Sequence, residues 1–319
     1  MTFLQTMCEG VARAQTIRVF DKDDESQWKL VSQFGGSEAG HKSAIWQVEW
    51  AHPEFGQVLA TCSDDRTVII WREREVVTSG HAPAHLKLKF EMVATLQDFQ
   101  KGVTSIGFAP AHLGLQIASA CNDGKVRVHQ GNSTNLTVWE LASELEPDAG
   151  FGAYITCLSW NRNRVDVPMM AVGWWRQQSG GAEQRVSGVG VWGYSSDQKR
   201  WSLVTKLDVE ADTRGLVAEV RDVDWAPCMG RPEHRIAAAV GAAVQVWSLR
   251  PLASWPAERC EQPARPTVLT MDGSVPLTFW KAGWNLTGTT LAASAENGQV
   301  RMWKLDFQGQ LKPHCVLEQ

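Results

Sequence analysis

The sequence contains no CxxC pair, no run of five or more Lys or Arg, and no apolar stretch approaching eighteen residues. The first absence bears on redox state. Seven cysteines stand singly at positions 8, 62, 121, 157, 228, 260 and 315, which argues against a disulfide framework and predicts a reducing compartment. The second absence, with a net charge of −4, disfavours nucleic acid as a direct ligand, because phosphate binding needs a concentrated basic surface. The third argues against a membrane-spanning helix. The opening MTFLQTMCEGVARAQ has no basic region leading into an apolar one, so no secretory signal is expected. Catalytic signatures are missing too: there is no GxSxG elbow, no HExxH and no Walker loop. No amphipathic helical pattern of convincing length stands between the strands, which sets aside a doubly wound α/β fold. Hydrophobic content of 44% and charged content of 21% are those of a soluble globular chain.

Tryptophan is what the sequence has, sixteen against two tyrosines, and its placement is periodic. An apolar-x-aromatic run recurs as VEW (48–50), IGF (106–108), LSW (158–160), VDW (223–225) and AGW (282–284). A small-residue strand follows each: LATCS, IASAC, MAVG, IAAAV and LAASA. An alternating strand then closes each unit, TVIIW at Trp71, KVRVH at His129, GVGVW at Trp192, AVQVW at Trp247 and QVRMW at Trp303, with an extra TIRVF ending at Phe20. From inner aromatic to terminal residue the spacing is 21, 21, 22 and 19 in four units, and 32 in the fourth along the chain, where GWWRQQSGGAEQRVSG reads as an insertion. Short strands at this period predict an all-β, WD-repeat β-propeller, one domain over 1–319 with six four-stranded blades. The blades fall roughly at 1–40, 41–98, 99–150, 151–215, 216–275 and 276–319. The first lacks a clear innermost strand before Thr16, so it is expected to be incomplete.

Polar residues within the repeat need weighing as chemistry. Asp65, Asp123 and Asn297 each stand six residues before the unit's terminal position, so they are read as structural turn residues whose side chains accept from nearby backbone N–H groups. Val186 and Gly241 take that place in the fourth and fifth units. His52, Glu54, Cys62 and Asp64 could be imagined as zinc ligands, but their spacing fits no common pattern, and Cys62 matches Cys121 in a buried strand. Ser63, Ser119 or Ser294 could be paired with His41 or His81 as nucleophile and base, yet the serines recur with the repeat and read as packing residues. No metal, cofactor or catalytic residue is therefore assigned. Trp174 and Trp175 either meet a partner or cap their own blade, and Trp255 lies in RPLASWPAERCEQPARP, whose composition reads as disordered.

Several motifs exceed a generic WD repeat. WAHPEFGQ, FAPAHLGLQ and WAPCMGRPE join the first two strands by a Pro-then-Gly turn that resembles the one in Sec-thirteen-like propellers. VTSIGFAPAHLGLQIASACNDGKVRVH, NLTVWEL, ITCLSWNRNRVDVPMMAVG and VRDVDWAPCMGRPEHRIAAAV look specifically like the Seh nucleoporin family, over almost the whole chain. That resemblance implies an open six-bladed propeller in the outer-ring Y complex of the nuclear pore, a scaffold rather than an enzyme. It implies that a helical scaffold nucleoporin inserts strands of its own between the first and last blades. Other outer-ring nucleoporins are further implied partners, and in some lineages the GATOR/SEA assembly of TOR signalling, at the lysosomal or vacuolar surface. The residues that would flank the gap are Thr16, Arg18 and Phe20 of the first blade with Trp280, Trp284 and Phe307 of the last. A gap baring about 1,000 Å² of apolar surface would yield roughly 25 kcal/mol gross when covered, against folding stabilities of about 5–15 kcal/mol. Two alternatives stay open: a subunit of the endoplasmic reticulum vesicle coat, as in the sister family, and a propeller enzyme or peptide-reading module that uses its central face.

Overall fold

A computed structural model describes residues 5–6, 16–22, 27–35, 40–77, 86–147, 152–177, 185–210, 218–231, 233–249, 266–270 and 277–317. Among these the secondary structure is almost entirely strand. The first sheet holds β1 (Gln5–Thr6), β2 (Thr16–Lys22) and β3 (Trp28–Gly35), in that order. The second holds β4 (Ile45–Trp50), β5 (Val58–Ser63), β6 (Val68–Val77) and β7 (Leu86–Leu96). The third holds β8 (Val103–Phe108), β9 (Gln116–Cys121), β10 (Val126–Gly131) and β11 (Trp139–Leu145). The fourth holds β12 (Tyr154–Trp160), β13 (Met169–Gln177), β14 (Arg185–Ser195) and β15 (Arg200–Asp208). The fifth holds β16 (Val220–Trp225), β17 (His234–Val240), β18 (Ala243–Leu249) and β19 (Thr267–Thr270). The sixth holds β20 (Phe279–Trp284), β21 (Thr290–Ala295), β22 (Val300–Leu305) and β23 (Leu311–Leu317). Each sheet is a meander whose strands follow chain order, the blade of a β-propeller. The first has three strands among the described residues and the other five have four.

By its contacts the chain divides into two compact units, one of Met1–Cys121 with Val128–Ala142, the other of Asn122–Arg127 with Ser143–Gln319. In the first unit Val58, Ala60 and Cys62 of β5 pack with Val103, Ile106 and Ile117 of the next sheet, and Ile17 and Val19 pack with Leu59, Trp71 and Phe90. In the second, Ala171 and Val189 meet Val220 and Val223, and Ala237 and Val244 meet Phe279 and Leu291. Every residue of β5 is buried, because a middle strand is covered on both faces, which is why it is built of Val, Leu, Ala, Thr, Cys and Ser.

The Pro-then-Gly turns have a local cause. Pro53–Phe55 and Ala111–Leu113 each form one 3₁₀ turn, closed by the Gly56 N–H donating to Pro53 O and the Gly114 N–H donating to Ala111 O. Both glycines sit at φ of 83°, where a side chain is disfavoured. The insertion expected in the fourth unit lengthens a hairpin: β13 and β14 pair in continuous register from Met169↔Gly193 to Gln177↔Arg185.

Candidate functional site

The five described inner strands share a deviation from regular pairing. The register slips between Ile45 and Gln47, Val103 and Ser105, Ile155 and Cys157, Val220 and Asp222, and Phe279 and Lys281. The skipped residues, Trp46, Thr104, Thr156, Arg221 and Trp280, all lie four positions before the inner aromatic. A bulge leaves its extra residue unpaired and re-aims it, which explains why Trp46 and Trp280 stand half-exposed within otherwise packed strands. The Arg221 guanidinium lies 4.0 Å from the Trp280 ring centroid, a cation–π contact across neighbouring inner strands.

Beyond the bulge, inner strands are stitched in one repeated register. The residue before the inner aromatic accepts from the backbone N–H of the next strand's inner aromatic: Glu49 from Phe108 at 3.3 Å, Ser159 from Trp225 at 3.0 Å, Asp224 from Trp284 at 2.8 Å. Two residues earlier, Gln47 accepts from Ile106 N at 3.2 Å and Asp222 from Ala282 N at 3.0 Å. Asp222 also meets the Lys281 ammonium at 3.1 Å. Burial pushes both carboxyls, Asp222 and Asp224, above the ordinary range, against Lys281 and the Ala282 N–H at Asp222, and against the Trp284 N–H and Arg162 at Asp224. On β8 and β20 the residue in the accepting place is glycine, Gly107 and Gly283, which has no side-chain oxygen to offer.

The six residues set out as gap-flanking fall in three places. Thr16, Arg18 and Phe20 lie on β2, with Thr16 exposed and the other two half-buried, and the Arg18 Nε–H donates to Gln33 Oε1 at 3.3 Å. The short β1 pairs only with Val19 and Phe20. Leu30, opposite Phe20, and Trp28, opposite Lys22, are exposed on the adjoining strand. Trp280 and Trp284 lie on β20, where Trp284 packs partly into the core between the fifth and sixth sheets. Phe307 stands at the tip of the β22–β23 turn.

Asp65 anchors a relay that recurrence alone did not single out. Its carboxylate accepts from Thr67 N at 3.0 Å and Lys42 N at 2.7 Å, and from His41 Nδ1 at 3.0 Å. The Thr61 hydroxyl lies 2.7 Å from His41 Nε2 and accepts from the Trp71 indole N–H at 2.9 Å. The donors run in one direction when imidazole is neutral with its proton on Nδ1: Trp71 to Thr61, Thr61 to His41, His41 to Asp65. Burial holds His41 below its ordinary value despite the pull of Asp65, which keeps the ring neutral. Burial alone would raise Asp65, but the hydrogen bonds from Thr67, Lys42 and His41 outweigh it and hold the carboxyl low. In the third unit Asp123 accepts from Lys125 N at 3.1 Å and pairs with buried Arg127 at 2.8 Å, and in the sixth Asn297 accepts from Gln299 N at 3.1 Å. Trp192 and Trp247, which end units without a turn Asp, leave their buried indole N–H groups without a hydrogen bond.

The other chemical candidates are dispersed. His52 lies half-exposed beside Glu54 at 3.5 Å, whereas Cys62 is fully buried, and among the described residues no three His, Cys, Asp or Glu side chains gather. Ser63 accepts from the Asp65 N–H at 3.2 Å and Ser119 is buried. Trp174 is buried and Trp175 stacks on Tyr154 at 4.8 Å, so both serve their own blade. His81 and Trp255 lie outside the described residues.

Comparison with known proteins agrees with this geometry. The family model described as WD domain, G-beta repeat matches residues 29–72, the span that holds the His41–Thr61–Asp65–Trp71 relay. Nucleoporin SEH1-B of Xenopus laevis is 31% identical over 315 residues, covering 95% of this chain and 80% of the relative. Nucleoporin SEH1 of Homo sapiens is 30% identical over 312 residues, with 95% and 80% covered, and that of Danio rerio 32% identical over 312 residues, with 95% and 79% covered. With a continuous match across all the blades described above, the chain belongs to the SEH1 nucleoporin family of WD-repeat β-propellers.

Proposed function

We infer that the chain is a structural subunit of the nuclear pore scaffold, located at the pore, whose propeller is completed by strands from a helical scaffold nucleoporin. The observation that carries this reading is the match to SEH1 nucleoporins over 95% of the chain, joined to a first sheet of three described strands. Strand addition suits such a sheet: an unfilled edge supplies backbone groups, and flanking side chains supply selectivity. On β2, Thr16, Arg18 and Phe20 would face the incoming polypeptide, with Leu30 and Trp28 extending the apolar part of that surface. On the sixth sheet, Trp280 and Trp284 of β20 and Phe307 of the β22–β23 turn would also contact the incoming polypeptide.

The structural role needs no turnover, and the polar residues described above are committed to turns and seams. Affinity purification of the full chain followed by mass spectrometry tests the reading. Outer-ring nucleoporins, with one helical scaffold protein in equal amount, are the expected result. Recovery of vesicle-coat proteins instead would assign the chain to the coat, and recovery of neither would overturn the scaffold reading.

A further inference from the structure

The second unit ends several of its hairpins in turns that hold apolar residues out in solvent. Val165 in the β12–β13 turn is 91% exposed, Met229 in the β16–β17 turn 66%, and Leu286 in the β20–β21 turn 78%. Phe307 in the β22–β23 turn is wholly exposed. Single exposed hydrophobes are ordinary on a protein surface. These four are unusual in being held out by turns that are braced internally and to one another.

Three of the turns are fixed by side-chain acceptors, and in the second the Cys228 thiol donates to Arg231 O at 3.0 Å. Asn163 Oδ1 accepts from Val165 N at 3.3 Å, Asn285 Oδ1 from Thr289 N at 2.8 Å, and Asp306 Oδ1 from Gln308 N at 2.9 Å. Cross-braces then join one turn to the next. His234 beside the second turn lies 3.4 Å from Asp166 of the first. The Arg231 guanidinium donates to Gly288 O at 2.7 Å and also to Thr287 O, tying the second turn to the third. Arg235 donates to Gly309 O at 3.2 Å, tying β17 to the fourth turn. The four apolar tips therefore stand on one continuous, rigid edge.

Charge on that edge is sorted by exposure. Arg162, Arg164, Lys304 and Lys312, in or beside these turns, are exposed. The acids there, Asp166, Glu233 and Asp306, are only partly exposed, with Asp166 turned to Asn161 and His234 and Asp306 turned to its own backbone. A chain of net charge −4 thus presents an outward basic field here.

We propose that this edge docks peripherally on an anionic phospholipid bilayer. Val165, Met229, Leu286 and Phe307 enter the boundary between headgroups and acyl chains, while the Arg and Lys side chains engage lipid phosphates. Separate convex tips within a basic field suit a soft, anionic plane, whereas a protein partner's anchors fill packed pockets. Rigid bracing means that little ordering entropy is lost on contact.

Vesicle flotation of the purified full chain, with whatever partner it carries, tests this. Vesicles of phosphatidylcholine alone are compared with vesicles that also contain phosphatidylserine. The chain is expected to float with the anionic vesicles, and more weakly as salt rises. Arg164→Glu combined with Lys304→Glu should weaken partitioning by about fivefold or more for each basic residue lost. Met229→Asp combined with Leu286→Asp should abolish flotation while leaving the melting temperature unchanged, because both side chains already lie largely in water. Equal flotation with neutral and anionic vesicles would overturn the proposal, as would no flotation at all. If the double Asp variant still floats but loses a co-purifying protein, the edge belongs to that protein and not to a membrane.

Discussion

Replacing Thr61 with Val strips the Trp71 indole N–H and His41 Nε2 of their shared partner in a site that water does not reach. Each stranded buried polar group costs about 1–3 kcal/mol, so Thr61→Val should lower chemical-denaturation stability by about that much or more, while Thr61→Ser should recover most of the loss. The same relay predicts a pH dependence. Burial, against Asp65, holds folded His41 below 6.5, so the folded chain binds fewer protons than the unfolded one. The stability this gives is complete above pH 6.5 and is lost as pH falls through the folded value; Asp65, held below 3.8, acts in the same sense at lower pH. His41→Gln should therefore flatten the decline in unfolding free energy on acidification below about pH 6.5, as measured by urea titration. The sequence displays Asp65 because its place recurs as Asp123 and Asn297, but it hides His41. Phe99 takes the equivalent place nine residues before the next inner aromatic, so His41 occurs without a periodic echo and reads only as a stray imidazole. His129, standing where other units end in an aromatic, is met instead by Asp98 at 2.9 Å.

At the level of strands, the seam between β16 and β20 is held by two carboxylates two residues apart. Asp224→Ala removes the acceptor of Trp284 N–H and should cost about 1–3 kcal/mol, with faster amide exchange at Trp284. Asp224→Asn keeps an acceptor and relieves a carboxyl that burial disfavours as an anion, so it should be far milder. Folded values of Asp222 and Asp224 are raised, so their effect runs opposite to that of Asp65: the penalty of ionising them grows as pH rises through and above the ordinary carboxylate range. Strand number, order and the middle-strand composition were all legible from the period of aromatic and small residues. The bulges were not. A single unpaired residue at Trp46 or Trp280 leaves the spacing to the next aromatic unchanged, so composition gives no sign that the side chain is turned outward. The insertion after Trp174 was legible as extra length, but its form as a continued hairpin follows from pairing that only the folded chain displays.

Over the whole molecule, the fold class was carried by the repeat and the family by long motifs such as VRDVDWAPCMGRPEHRIAAAV, while the completing partner entered through resemblance alone. Nothing in strand periodicity names what lies beside β2, because an edge strand and a central one can share the same alternation. The sorting of exposed Arg and Lys from half-buried acids on the turns of the second unit was equally hidden, since the sequence lists both signs in nearly even number. If partner strands complete the propeller, Phe20→Asp and Trp280→Asp should each weaken association by more than about 1 kcal/mol, read by titration calorimetry. Neither should disturb the His41 relay, which belongs to the second sheet. The most direct measurement is amide hydrogen exchange of β2 and β20, with and without the co-expressed helical scaffold nucleoporin. Slowed exchange confined to Thr16–Lys22 and Phe279–Trp284 in the complex is the predicted result. Exchange on both strands that is already slow in the free chain, and unchanged on adding the partner, would contradict it.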